Sequence, residues 1–285
     1  MNMCASKAGS PRHIGDPGQP PQDSTDPEEI RDLCAAFVEG LKAALGHKLY
    51  GVYLYGAWAF PEGSARGDVD MHVIVAEPLS DREKSRLGEL HRRIAGEFPK
   101  FAAQGLDAYY LLLEDARGTA PPRHQLSPDV VDDSWTLHCA HIRAGRCRIL
   151  YGPHPGELYP EPSWEALAEA LQGELDYVAE HLADYPAYCV LNLCRLIYSF
   201  KTGDVVVSKF GSSMWAREAF TDKKSCIDAA MKMYEGSATA AESRRVESEV
   251  VDFFRFASER ISEDRSPSQA ACQPSLDERE YNPHP

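Results

Sequence analysis

The sequence predicts an α/β (α+β) chain. A small mixed sheet with its helices fills the N-terminal half, and an all-α helical bundle follows. Two observations carry this. Up to about residue 113, strand-like apolar runs and amphipathic stretches come in the order helix, strand, strand, helix, strand. After Pro153 no long strand pattern recurs, and five helical stretches follow one another. The chain has 285 residues, 43% apolar and 26% charged, which is enough for a packed core.

The elements can be justified in order. Residues 1–26 and 264–285 are rich in Pro, Gly, Ser and charge, and read as a disordered leader and tail. The first helix starts with Thr25 or Asp26 as cap, Pro27 in the first turn, then Glu28 and Glu29; Leu33, Phe37 and Leu41 mark its apolar stripe. "KLYGVYLYG" alternates and is rich in β-branched and aromatic residues, as a strand should be. "AWAFPEGSARG" connects it to a second strand, "DVDMHVIVA". "SDREKSRLGELHRRIAGEF" is an amphipathic helix with Leu87, Leu90 and Ile94 on one face, and "LDAYYLLL" is the third strand. The first folded unit is therefore 27–152 and the second 153–263. In the second, Ser163 caps the first helix. The apolar helix "YPAYCVLNLCRLIYSFKTG" is ended by Gly203, and "SKFGSSMWAREAF", "KKSCIDAAMKMYEG" and "SRRVESEVVDFFRFASERI" read as three more helices.

Chemistry enters at "GDVDMHVIV". Alternate strand residues share a face, so Asp68 and Asp70 project together at the entrance to a buried strand. Two close carboxylates repel, and a divalent cation relieves the repulsion. The plainer reading of Gly-Asp before a strand is a turn. His72 shares the face of Asp70 and reads as a core residue beside it. Trp135 and Trp215 read as packing.

The net charge of −14 argues against a nucleic-acid backbone as partner and is compatible with a cationic small substrate. No apolar run reaches the roughly 18 residues of a membrane span, and the N-terminus lacks a secretion signal, so a soluble cytoplasmic protein is expected. The eight cysteines form no C-x-x-C pair and read as free thiols, with Cys189 and Cys194 in the core.

The stretch "YLYGAWAFPEGSARGDVDMHVIV" resembles the nucleotidyltransferase superfamily pattern of a Gly-Ser turn, a loop and Asp-x-Asp. "HIRAGRCRILYGPHPGELYPEP", then "VLNLCRLIYSFKTGDVVVSKFGSSMWA" and "MKMYEG", are similar to the interdomain and C-terminal helical parts of the streptomycin and spectinomycin (aminoglycoside) adenylyltransferases. The likeness spans roughly residues 35–260. It implies a nucleotidyltransferase domain and a C-terminal substrate-binding domain that move AMP from ATP to a hydroxyl of an aminoglycoside or aminocyclitol, with Mg²⁺ as cofactor and pyrophosphate as leaving group. It also implies metal binding at Asp68 and Asp70. Asp107 would be the general base or a third metal ligand. Gly56 and Ala57 would lie at the phosphates, with Lys209 and Tyr234 at the nucleotide. Asp184 and Glu180, with Asp176 upstream, would face the acceptor, although a solvated helix face is the plainer reading of these acids.

Three positions depart from the family pattern. Ala57 stands where the family has Ser, Gly67 replaces a Ser, and Asp107 replaces a Glu. "LDYVAEHLADYPAYCVL" lacks the Trp that the resistance enzymes carry there. A different acceptor, such as a nucleotide, metabolite or protein hydroxyl, and a non-catalytic nucleotide-binding protein are the alternatives.

Overall fold

The computed structural model describes residues 28–60 and 68–264. The expected leader, most of the tail, the cap residues Thr25, Asp26 and Pro27, and Gly67 lie outside them. The chain opens with α1 (Glu28–Leu45), then β1 (Leu49–Tyr55), a short turn at Gly56–Ala59, β2 (Val69–Val75), α2 (Asp81–Glu97), α3 (Pro99–Gln104) and β3 (Leu106–Leu112). A single turn, α4 (Leu113–Ala116), then α5 (Trp135–Arg143) and β4 (Arg148–Tyr151) complete this half. The sheet order is β3-β2-β1-β4. β1 runs antiparallel to both neighbours, while β2 and β3 are parallel. The sheet is thus mixed, and α2 and α3 supply the crossover that a parallel pair needs.

Side chains alternate across this sheet as the strand period requires. Val52, Leu54, Val69, Met71, Val73, Ala108 and Tyr110 pack with α1 and α2 in one core. Tyr53, Tyr55, Ile74, Tyr109 and Leu111 form a second core with Trp135, Cys139 and Ile142 of α5 and with Tyr159. Every residue of β2 is buried. Asp70, His72 and Asp107 fall on the face that α5 covers, which places polar groups where the pattern of the strand allows only apolar ones.

α2 shows how strongly local sequence sets a boundary. Ser80 caps it, and Glu83 reaches back to the Ser80 backbone N–H at 2.7 Å and to its hydroxyl at 2.6 Å, closing a capping box. Lys48 Nζ lies 3.0 Å from the same carboxylate. The hydrogen bonds to Ser80, with a smaller contribution from Lys48, hold Glu83 down to about 2. A carboxylate with a depressed folded-state pKa stabilises the fold above its unfolded pKa and ceases to as pH falls through the folded value. Glu83→Gln is expected to cost about 1 kcal/mol at neutral pH, as a lost cap does. Urea melts taken from pH 7 down to pH 2 should show the gap to wild type closing; a constant gap would mean that the ionised carboxylate is not the cause.

The helical half comprises α6 (Trp164–Glu180), α7 (Pro186–Thr202), α8 (Lys209–Ala219), α9 (Lys224–Tyr234) and α10 (Ala240–Asp264). α10 runs through Asp264, one residue past the expected boundary. Val246, Val250, Phe253, Ala257 and Ile261 give it one buried stripe. α7 is buried almost all round and is the hub on which α6, α8, α9 and α10 pack. Ser163 caps α6, and Gly203 ends α7 with a φ of 73°. Leu137 of α5 belongs to this helical core, so α5 joins the two halves. Cys189 and Cys194 are buried free thiols. Among the described residues no helix is long and apolar enough to cross a membrane.

Candidate active site

The site is built at the end of the sheet where β1 finishes and β2 and β3 begin. The parallel register sets Asp70 beside Asp107, and the antiparallel register sets it beside Tyr55. Asp68 lies just before β2, half-buried, and Asp107 is exposed. Asp70 is buried, and its Oδ2 has no hydrogen-bond partner among the described residues. The three carboxylates act on one another electrostatically. Burial, then Asp107 and Asp68, push the Asp70 carboxyl well above the usual range, and Lys209 opposes them. Burial also raises Asp68; Lys209 lowers it and Asp107 raises it.

Two glycines press on this cluster. Gly56, at φ 68°, would bring a Cβ within 2.0 Å of Asp70 Oδ2, so the turn after β1 tolerates no side chain there. Ala57 follows it, half-buried. Gly105, at φ 116°, would bring a Cβ to 3.0 Å from Asp68 Oδ1. The sequence reading did not single out Gly105; its only mark in the sequence is its place directly before a strand.

The helical half contributes the cation. Lys209 is the first residue of α8, behind the cap Ser208, whose hydroxyl accepts from the Gly211 N–H at 2.7 Å. Lys209 is buried, with Nζ 4.4 Å from the Tyr188 ring centroid, 5.2 Å from that of Tyr234 and 3.4 Å from the Tyr234 hydroxyl. Burial and Arg195 pull its pKa well down, while Glu174, Asp70 and Asp68 hold it up. A cation at a helix N-terminus also opposes the helix dipole. Lys209 therefore occupies a place poorly suited to a buried ammonium unless negative charge faces it.

Behind Lys209 lies a polar network that the sequence reading missed. Ser134, the residue before α5, donates to Glu174 of α6 at 2.7 Å. Asn192 of α7 donates to Glu174 at 3.2 Å and to the Tyr188 hydroxyl at 3.3 Å. Arg195 donates to Asn192 and lies 3.9 Å from Glu174. The available signal was "VLNLCRLIYSF", in which Asn192 and Arg195 sit three residues apart in an otherwise apolar helix.

Thus the structure brings Asp68, Asp70, Asp107, Gly56 and Lys209 into one region, with Tyr234 against Lys209. It does not bring the acceptor candidates into this network. Glu180, Asp184 and Asp176 are all exposed, and the carboxylate that α6 turns inward is Glu174. Trp135 is core, donating from Nε1 to the Gly118 carbonyl at 2.9 Å, and Trp215 packs edge-on against Tyr198 and Phe220.

A buried, unpaired carboxylate oxygen beside two further carboxylates is a donor set for a hard divalent cation, which takes oxygen ligands and offsets their repulsion. The close glycines leave backbone rather than side chain around it, as phosphate oxygens require.

Residues 158–260 match the family described as aminoglycoside adenylyltransferase, C-terminal domain. Over 216 residues the chain is 19% identical to a spectinomycin 9-adenylyltransferase of Enterococcus faecalis, covering 69% of this chain and 84% of that protein. The crystal structure of a spectinomycin adenyltransferase from Enterococcus, solved with ATP and spectinomycin, has the same fold. Its TM-score is 0.66 at 17% identity, over 81% of this chain and 99% of that one.

Proposed function

We propose that this chain, an aminoglycoside adenylyltransferase-like nucleotidyltransferase, transfers AMP from ATP to a hydroxyl of a small cationic acceptor and releases pyrophosphate. The acceptor is an aminoglycoside or aminocyclitol of the streptomycin or spectinomycin type. The carrying observation is the buried, unpaired Asp70 oxygen between Asp68 and Asp107, with Lys209 from the helical half within electrostatic reach. Both expected units, 27–152 and 153–263, would contribute: the first supplies the carboxylates, and the second supplies Lys209 and the acids that would face the acceptor.

Asp68 and Asp70, with Asp107 as a third ligand, would hold Mg²⁺. When bound there, the ion would supply positive charge to the phosphates and make a bound hydroxyl easier to deprotonate. The chain's own residues do the rest. Asp107 is exposed at the edge of the cluster, so it can also meet the acceptor and take the hydroxyl proton as the oxygen attacks the α-phosphorus. The glycine at position 56 lets the phosphates approach the backbone. Ala57 offers no hydroxyl, so its contribution is limited to main-chain N–H. Lys209, steadied by Tyr234 and Tyr188, faces the negative charge that grows on the departing pyrophosphate. Glu180 and Asp184 are exposed carboxylates available to acceptor ammonium groups, whereas Glu174 is committed to Ser134 and Asn192.

The test is pyrophosphate release from Mg-ATP in the presence of spectinomycin, streptomycin and a panel of other aminoglycosides. Release should require both the drug and Mg²⁺ and should vanish in Asp68→Ala. Silence across the panel from protein that still binds ATP would overturn the acceptor assignment.

A further inference from the structure

We propose that His72, Asp132 and His138 form a second, fully buried site for a zinc-class transition-metal ion, distinct from the carboxylates at the end of the sheet. The three residues come from three elements. His72 is on β2, Asp132 lies in the segment before α5, and His138 is on the first turn of α5. All three are buried, and one ligand atom from each lies within 4.8 Å of the others. His138 Nδ1 is 2.8 Å from Asp132 Oδ2, and His72 Nε2 is 3.9 Å from the same oxygen. In a tetrahedral zinc site with bonds near 2.0–2.1 Å, ligand atoms sit about 3.3 Å apart, so these separations bracket the required geometry.

His72 points to a ligand most directly. Its Nε2 is buried and has no hydrogen-bond partner among the described residues, yet it lies 3.9 Å from the Asp132 carboxylate. A buried ring nitrogen without a partner is rare in a settled core. The other ring nitrogen is engaged, with Nδ1 at 3.2 Å from the Tyr159 hydroxyl. Asp132 is oriented in turn, its Oδ1 accepting the Ser134 backbone N–H at 3.1 Å. Partners of this kind, which fix ligand orientation from behind, accompany protein metal sites.

The donor set separates this site from the first. Two imidazoles and one carboxylate suit zinc and its neighbours, whereas magnesium takes oxygen ligands. Loading the site requires a rearrangement that balances. Both rings stay neutral and carry their one proton on the nitrogen away from the ion, His138 on Nε2 and His72 on Nδ1 toward the Tyr159 hydroxyl, while Asp132 is ionised; reaching this state takes only tautomer shifts, and no net proton leaves. The ion would bolt β2 to α5, and α5 carries on to the helical half through Leu137 and through Ser134 with Glu174. Its role would be to hold the two halves in register.

Cobalt(II) is the probe. Chelator-treated full-length protein is titrated with Co²⁺ in excess Mg²⁺, so that the carboxylate site is already filled. The expected result is one equivalent with the visible bands of low-coordinate cobalt, displaced by one equivalent of Zn²⁺. The bands should be lost in His138→Ala and in His72→Gln, and retained in Asp70→Asn. Absence of visible bands in the wild-type protein overturns the proposal, and this measurement does not depend on either histidine variant folding. Bands that survive in both histidine variants but vanish in Asp70→Asn overturn it as well, because the ion would then belong to the carboxylates.

Discussion

Asp70→Asn is expected to abolish transfer while leaving the fold as stable as before, or more so. The two effects share one cause. The folded protein holds a buried carboxylate whose Oδ2 is unpaired and whose neighbours Asp68 and Asp107 carry the same sign of charge. Such a group is a cost to folding unless a cation meets it. Asparagine has the same shape, no charge, and an amide that can donate toward the neighbouring carboxylates. The metal-free variant should therefore be more stable by about 1 kcal/mol, the scale of a buried polar group gaining a partner. On the proposed function, the variant takes from the divalent ion its most buried ligand. The loss in kcat should be at least about 10³-fold, or some 4 kcal/mol of transition-state stabilisation. Thermal melts in chelator and in Mg-ATP separate the readings. Wild type should rise with Mg-ATP by linkage, and the variant should not. Mg-dependent transfer within tenfold of wild type would remove Asp70 from the chemistry.

How far the sequence revealed this arrangement depends on where each signal resides. β1, β2 and β3 were legible because their apolar or alternating runs are long and local. β4 was not. It has four residues at the sheet edge, with Ile149 and Tyr151 exposed, and the charged "RCR" stretch hides its period. α5 was also missed. The fold buries His138 and His141 in it, so its apolar periodicity is broken by residues whose purpose lies elsewhere in the structure. Within the site, Asp68 and Asp70 announce themselves two residues apart at the mouth of a buried run. Asp107 and Lys209 could be reached only through family resemblance, and the structure places both in the electrostatic neighbourhood of the pair. Glu174, Asn192, Arg195 and Ser134 come from three separate helical regions. Their meaning is a long-range hydrogen-bond network, for which no local period exists. Glu180 at the end of α6 and Asp184 in the turn after it drew attention as visible charges, whereas Glu174 differs from Glu180 by the direction in which the helix turns it.

Lys209→Met is expected to leave the metal-free fold at least as stable as wild type, as Asp70→Asn does, and to share its loss of activity. The methionine keeps the length of the side chain and its packing against Tyr188 and Tyr234, but removes the cation that faces Asp68 and Asp70. Burial and Arg195 outweigh Glu174, Asp70 and Asp68 at this ammonium and hold its pKa well down, so its charge is a net cost to the metal-free fold and removing it should cost no stability. Mg²⁺ supplies positive charge to the same carboxylates. Added ion should therefore add more stability in this variant than in wild type, where in Asp70→Asn it adds none. Activity distinguishes two roles for the ammonium group. If it meets charge developing on the leaving pyrophosphate, kcat falls by about 10²–10³-fold with little change in the KM for ATP. If it only grips ATP in the ground state, KM rises and kcat holds. Its cramped position supports the first role. A lysine kept at a helix N-terminus, buried and against the dipole, is poorly placed for gentle binding and well placed for a charge that appears late. A chelator melt well below wild type would overturn the stability prediction, and a loss in kcat of less than threefold with KM unchanged would place Lys209 outside the reaction.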